Sequence, residues 1–306
     1  MRSSLTFRRI QNYWRLYLFL LLPVAQVLIF KYLPMLGIQL AFKSYDFRLG
    51  IWGSPWVGLK NFQRFISSYQ FMRVLTNTLR LSLYSLIAGF PLPIILALLL
   101  NTMTLHRYKK WIQTITYMPH FISTVVMVGI ITQLLNTHVG IYGQLYKAIA
   151  DTKAPDLLGI ADAFPHIYVW SGIWQGLGFN SIIYLAALSG VDSELHEAAE
   201  LDGANRFRRM IHIDLPAILP TASILLILAS GNVMSVGFEK AYLMQNTLNL
   251  STSEVISTYV YKIGIASGGG DFSFGTAVGL FNSIVNFILL MLVNYSSSKL
   301  GANSLW

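Results

Sequence analysis

The chain has 306 residues, of which 54% are hydrophobic and only 11% charged, with a mean hydropathy of +0.54. Soluble domains carry about 25% charged residues, so this composition excludes an ordinary soluble domain and requires an integral membrane protein. The lack of cysteine excludes disulfides, thiolate metal sites and a cysteine nucleophile, and the formal charge of +9 is scattered beside apolar segments, which suits anionic lipid headgroups and not nucleic acid.

Crossing the hydrocarbon as a helix takes about 20 apolar residues, and six segments are expected to do so. The first runs from about Leu16 to Phe42, carries Pro23 and Pro34, and is interrupted by Lys31. It lacks a small-residue cleavage site and reads as a retained helix, not a signal peptide. The second, about Leu81 to Leu100, contains Pro91 and Pro93; the third spans about Trp111 to Leu135. The fourth, about Ile167 to Val191, is also free of charge; the fifth covers about Pro216 to Phe238 and the sixth about Gly275 to Asn294. Carbonyls freed by prolines within such helices must be satisfied by neighbouring helices or by water, which kinked helices around a cavity and a simple bundle both provide.

Between the first two spans, Ile51 to Gly58 is rich in turn residues. Phe62, Phe65, Ile66, Tyr69, Met72 and Leu75 then recur at helical spacing with Arg64 and Arg73 between them. This predicts an amphipathic helix that either lies on the outer membrane surface or packs on the bundle. Residues 136–166 and 239–274 form longer outer segments, and connections of that size are usually functional or bound to a partner. The run Gly268 to Asp271 follows no strand and lacks the spacing of a nucleotide fingerprint, so it reads as a flexible re-entry into the last helix. Six spans put both termini on one side. The tight basic clusters at Arg2, Arg8, Arg9 and Arg15, at Arg107, Lys109 and Lys110, and at Arg206, Arg208 and Arg209 assign that side to the cytoplasm.

One polar island interrupts this pattern, Glu197 to Pro220, in the sequence EAAELDGANRFRRMIHIDLPAILP. Asp192, Glu194, Glu197 and Glu200 lead in and Arg206, Arg208 and Arg209 follow, which complements the dipole of a short helix or helix pair. Asp192 or Ser193 can cap the first turn. Gly203 is placed to end that helix in the left-handed conformation, and a second short helix is expected to stop before Pro216. The triplet Glu197-Ala198-Ala199, the step Asp202-Gly203-Ala204 and the ending Ile213-x-Leu215-Pro216 stand at the spacing of the EAA loop of ABC-importer permeases. On that loop the chain resembles this family. Within it the chain is similar to the carbohydrate-uptake permeases of the maltose type, in the LplB-like subgroup associated with oligosaccharide or polysaccharide-fragment uptake. The phrase Gly58-Leu59-Lys60-Asn61-Phe62 also resembles a segment of sugar-type permeases.

The resemblance covers nearly the whole chain. It implies an all-α integral membrane fold of six transmembrane helices, the type I ABC importer permease fold, as a single domain over residues 1–306. Residues 192–216 would form a cytoplasmic coupling loop. Glu197, Ala198, Ala199, Asp202, Gly203, Ala204 and Arg206 would then meet the ATPase. It implies a heterodimer with a second homologous permease, an ABC ATPase dimer inside, a solute-binding protein outside, and location in a bacterial cell membrane. No cofactor is expected in this chain, ATP and Mg belonging to the partner ATPase. The mechanism implied is alternating access.

The residues themselves carry no energy source. The cores of the second to sixth spans lack Asp, Glu, Lys and Arg, and His120 beside Pro119 reads as a packed or interfacial side chain and not a proton relay. There is no Walker A loop, no Gly-x-Ser-x-Gly elbow and no His-Glu-x-x-His, so an enzyme is not expected. Without the resemblance, an ATP-independent channel or secondary carrier for a polar solute remains the alternative. Trp170, Trp174, Gln175, Asn180, Asn232 and Ser235, together with Gln133, Asn282 and Asn286, are candidates for a solute path, since aromatic faces stack on sugars and amides both donate and accept. Interhelical hydrogen bonding and interfacial anchoring explain the same residues structurally. Gly172-x-x-x-Gly176 is expected to mark close helix packing.

Overall fold

The computed structural model describes residues 13–299 other than 267 and 269. The basic cluster at Arg2, Arg8 and Arg9 and the centre of the glycine run therefore lie outside the described residues. Among the described residues the chain is all-helical, the only extended pairing being a single bridge between Lys43 and Trp56. The helices are α1 (Trp14–Val27), α2 (Gly50–Gly53), α3 (Lys60–Ile66), α4 (Gln70–Gly89), α5 (Pro91–Asn101), α6 (His106–Tyr117), α7 (Thr124–Leu134), α8 (Ile141–Ala150) and α9 (Phe164–Leu188). They continue with α10 (Ser193–Leu201), α11 (Arg206–Arg209), α12 (Leu215–Ser230), α13 (Phe238–Met244), α14 (Leu250–Ser253), α15 (Ile256–Tyr261) and α16 (Phe272–Lys299). The chain divides into two compact units, residues 1–67 with 262–280, and residues 68–261 with 281–306.

In the first unit α1 runs through a π-turn and a long 3-10 stretch to Phe42, giving one apolar segment, Trp14–Phe42, long enough to cross a membrane. The Gly58 to Phe62 phrase has a local structural role. Gly58 takes φ +60, a left-handed turn that brings Asn61 under the preceding segment. There the buried Asn61 amide donates to the carbonyls of Ala41 and Lys43 at 2.9 and 3.0 Å, and Phe62 meets the Phe42 ring. Lys43, itself buried, donates to Ile51 O at 2.7 Å and sits over the Trp56 ring.

The second unit is organised around α9, which packs against α4, α5, α6 and α12. One apolar cluster joins Leu81, Val128, Phe164, Val169, Ala241 and Val255; another joins Ala97, Leu98, Tyr184, Leu188, Ile218 and Ala222. Gly178 lets α9 lie close against α6, since a Cβ there would lie 2.2 Å from Thr116 O. The expected packing pair does not serve this purpose: a Cβ on Gly172 would meet Lys240 Nζ and one on Gly176 the Asn180 amide, each at 3.0 Å, and neither meets another helix's backbone. Spacing alone could not tell which α9 glycine faces a helix and which faces a side chain.

Among the described residues four helical stretches are long and apolar enough to span a membrane, Trp14–Phe42, Gln70–Asn101, Arg206–Ser230 and Phe272–Ser296, and a bent pair supplies a fifth if counted as one span. That pair corrects the expected third span. The chain turns by 102° between His106–Phe121 and Thr124–Leu134, because Pro119 tightens it into a 3-10 turn and Ser123 caps a new helix by accepting from Val126 N. The expected fourth span is a single 25-residue helix, α9, in which His, Trp, Gln, Asn and Ser dilute the apolar character. The expected amphipathic helix is also broken: Ser67 to Tyr69 separate α3 from α4, so Met72 and Leu75 belong to the second span's own helix.

Candidate functional site

The charged island folds as a short helix, a tight turn and a second helix that does not stop. Asp192 Oδ1 accepts from Glu194 N at 3.0 Å and starts α10. At its end Gly203 N donates to Glu200 O (3.0 Å) and Ala204 N to Ala199 O (2.8 Å), with Gly203 at φ +77. These paired bonds to a left-handed glycine close the last turn as a Schellman motif. Nothing stands within 4 Å of a Cβ on Gly203, so glycine is required there by backbone conformation and not by space. Asn205 then caps α11, its Oδ1 accepting from Arg208 N at 2.9 Å. The second helix was expected to end before Pro216. Instead a π-turn, Met210–Asp214, carries it into α12, placing Pro216 in that helix's first turn, where its missing N–H costs little.

The loop has two faces. Outward lie Glu197, Ala198, Asp202, Gly203 and Arg206, with Phe207 and the 90% exposed Leu201 among them. Ala199 and Ala204 are half-buried. Inward, Asp214 is 2% exposed, and its Oδ1 lies 3.3 Å from His196 Nε2 and accepts from Asn101 Nδ2 at 3.2 Å. Arg209 donates to His196 O (3.4 Å) and to Glu200 Oε2 (2.9 Å). Glu200 is well exposed, so that ion pair contributes at most about 1 kcal/mol. The buried carboxylate is the stronger tie: it holds the α10 helix, the end of α5 and the start of α12 at one point. A cavity of about 460 Å³ opens beside it, lined by Asn101, His196, Glu200, Arg206, Arg209 and Asp214. Sequence reasoning missed Asp214 and Asn101, although an acid between Ile213 and Leu215-Pro216, in an otherwise apolar helix start, was the available sign.

A second site runs along α9. A cavity of about 400 Å³ is bordered by Ser85, Gly89, Tyr168, Gln175, Asn180 and Lys240, and a neighbouring one of about 370 Å³ shares Gly89, Phe90, Pro93, Asn180 and Ala229 and extends to Tyr184. The two form a groove spanning Tyr168 to Tyr184 of α9, about 24 Å at the helical rise. Of the expected path residues, Gln175 and Asn180 border this groove, and Gln175 also donates to Ile122 O at 2.9 Å. Trp170 and Trp174 stand exposed on α9 outside the cavity lining, with Trp170 Nε1 donating to Tyr84 OH at 2.9 Å. Asn232 and Ser235 lie beyond the end of α12; Asn232 donates to Leu228 O, and Ser235 accepts from Asn286, which also accepts from Met234 N. His120 stacks flat on Phe179 at 3.7 Å.

Lys240 was absent from the expected path because it falls after the fifth span, in a segment expected to lie outside. In the structure α13 folds back against α7 and α9, and Lys240 is only 9% exposed. Its Nζ donates to Tyr168 O at 2.6 Å and lies over the Tyr168 ring.

The family model described as binding-protein-dependent transport system inner membrane component matches residues 89–301, and that stretch holds α5, α9, the island and α12. The chain belongs to this family. It is 44% identical to protein LplB of Bacillus subtilis (strain 168) over 95% of this chain and 91% of LplB. It is 42% identical to the polygalacturonan/rhamnogalacturonan transport system permease protein YteP of the same organism, over 100% of this chain and 94% of YteP. Among solved structures it superposes on a bacterial ABC transporter involved in the import of the acidic polysaccharide alginate. The TM-score is 0.87 at 37% identity, over 96% of this chain and 98% of that one. The bacterial alginate ABC transporter is also known in complex with an alginate pentasaccharide-bound periplasmic protein. As a binding-protein-dependent inner membrane component, the chain is a permease subunit and not an enzyme; nucleotide hydrolysis resides in a separate subunit.

Proposed function

We propose that the chain forms one half of the transmembrane pathway of an ATP-driven importer of saccharides, oligosaccharides or fragments of polysaccharides, working by alternating access. The names of its relatives support the substrate class. In this reading a second, homologous permease completes the pathway, an ABC ATPase dimer holding ATP and Mg docks inside, and a solute-binding protein delivers the sugar outside. The bent pair and α9 each count as a span, giving six, with both termini cytoplasmic.

The observation that carries the proposal is the two-faced loop. Its outer face offers the exposed Ala198 and Leu201 to a partner, and its inner face is fastened through Asp214 to the ends of α5 and α12. A short helix held this way transmits a push from the ATPase to α5 and α12 without folding up. Glu197 to Ala204 form the pressed surface, and Gly203 sets the turn that presents it.

The test is Gly203→Val in the assembled importer. A β-branched residue at φ +77 is strained by about 1–2 kcal/mol and unwinds the end of α10. Sugar-stimulated ATP hydrolysis should collapse while the chain still reaches the membrane. ATP-dependent uptake equal to the wild type in reconstituted vesicles would refute the loop's role.

A further inference from the structure

Lys240 is a buried cation without a buried anion. Among the described residues none of the ion pairs within 4 Å includes it, and its only contacts of note are the Tyr168 carbonyl and ring. One carbonyl satisfies one of three ammonium protons. By contrast the other buried charged side chains of this unit have side-chain partners: Glu254 is paired with Arg73, and Asp214 meets the His196 ring and the Asn101 amide. Burying an unpaired cation is costly, and within membrane bundles such a residue faces a cavity and marks a substrate path. Lys240 meets that description. It borders the groove along α9, beside Ser85, Gln175 and Asn180, at the end farthest from the coupling loop. The helix wall is cut away for it as well: at Gly172 any side chain would begin 3.0 Å from its Nζ.

We propose that Lys240 receives a carboxylate of the saccharide in transit, so that the substrate is an acidic, uronate-containing oligosaccharide. The inference rests on the reading that a saccharide crosses along this groove. A carboxylate would supply the missing charge and accept the remaining ammonium protons, a charge-assisted contact stronger than any a neutral hydroxyl can make. Among the described residues Lys240 is the one charged side chain bordering the cavity. A single positive charge balances a carboxylate and not a phosphate dianion, so phosphorylated sugars are not the favoured cargo. Gln175 and Asn180 donate and accept equally well and suit the hydroxyls of the same sugar units.

The experiment uses the complete importer in proteoliposomes, with its own permease partner, ATPase and binding protein. It measures ATP-dependent uptake of oligogalacturonate and of alginate oligosaccharide, each beside its carboxyl-reduced form and a phosphorylated neutral oligosaccharide. The wild type should accumulate at least one acidic sugar about tenfold or more faster than its reduced counterpart. Lys240→Gln should lower that uptake by a similar factor and narrow the difference, with the binding protein untouched. Lys240→Arg should retain most of it, which separates loss of charge from loss of assembly. Equal uptake of acidic and reduced forms by the wild type, preference for the phosphorylated sugar, or acidic uptake unaffected in Lys240→Gln would each overturn the proposal. Uptake that ignores ATP for every sugar would instead bring down the importer reading beneath it.

Discussion

At the scale of single residues, Asp214 shows how one buried side chain can set the behaviour of a loop. Its carboxylate has left water for a site where His196 and Asn101 are its partners. Removing it takes one partner from each of these half-buried groups, a loss of about 0.5–1.5 kcal/mol per hydrogen bond. Asp214→Ala should therefore leave the spans folded but loosen α10. In the reconstituted importer, ATP hydrolysis should persist while losing much of its dependence on loaded binding protein. Coupling as tight as in the wild type would show that the loop is held by other means. The motif residues Glu197, Ala198, Asp202 and Gly203 were legible because their spacing is a local property of the chain. The residue that anchors them was not, because its importance lies in a contact with Asn101, more than a hundred positions earlier.

At the scale of elements, the breaks in the helices matter more than their lengths. Hydropathy located the apolar stretches but not their geometry: Trp111 to Leu135 reads as one run, and only Pro119 followed by the Ser123 cap reveals a 102° corner. The α9 helix was legible as one long charge-free segment, whereas its role as the central helix comes from packing that no single-sequence periodicity reports. Gly178 makes the point testable. Its missing side chain lets α9 lie against the Thr116 carbonyl of α6. Gly178→Leu should force the pair apart and cost about 1–3 kcal/mol, the usual penalty for overpacking a close contact. The purified variant should lose thermal stability in detergent, while Gly172→Ala, which meets only the end of a lysine, should lose far less. Equal losses would mean that α9 and α6 do not depend on this contact.

At the scale of the whole molecule, much of the surface is apolar. Phe19, Leu22 and Phe30 of the first span are each exposed by 70% or more, as befits side chains that face lipid or a second subunit. Orientation is open to a direct check because the chain has no cysteine of its own. Ala198→Cys, exposed on the loop between α9 and α12, should react with a membrane-impermeant maleimide in inverted vesicles and not in intact cells. Labelling from outside would reverse the assigned topology. Of the molecule-wide picture, the all-helical membrane class could be read from composition. The groove could not, since Ser85, Lys240 and the pair Gln175 and Asn180 come from three separate helices, and Lys240 sits in a stretch that looks like an outer loop until it folds inward.

The π-turn at Met210–Asp214 has a mechanical meaning. A turn of this kind holds one residue more than the α-helical path requires. Since successive residues of an α-helix are rotated by about 100°, that surplus fixes the angular setting of everything before it relative to α12. Under the proposed function, the contact with the motor would thus be keyed like a gear on its shaft: taking out a single residue there would leave both helices intact yet turn the driven tooth away from its socket.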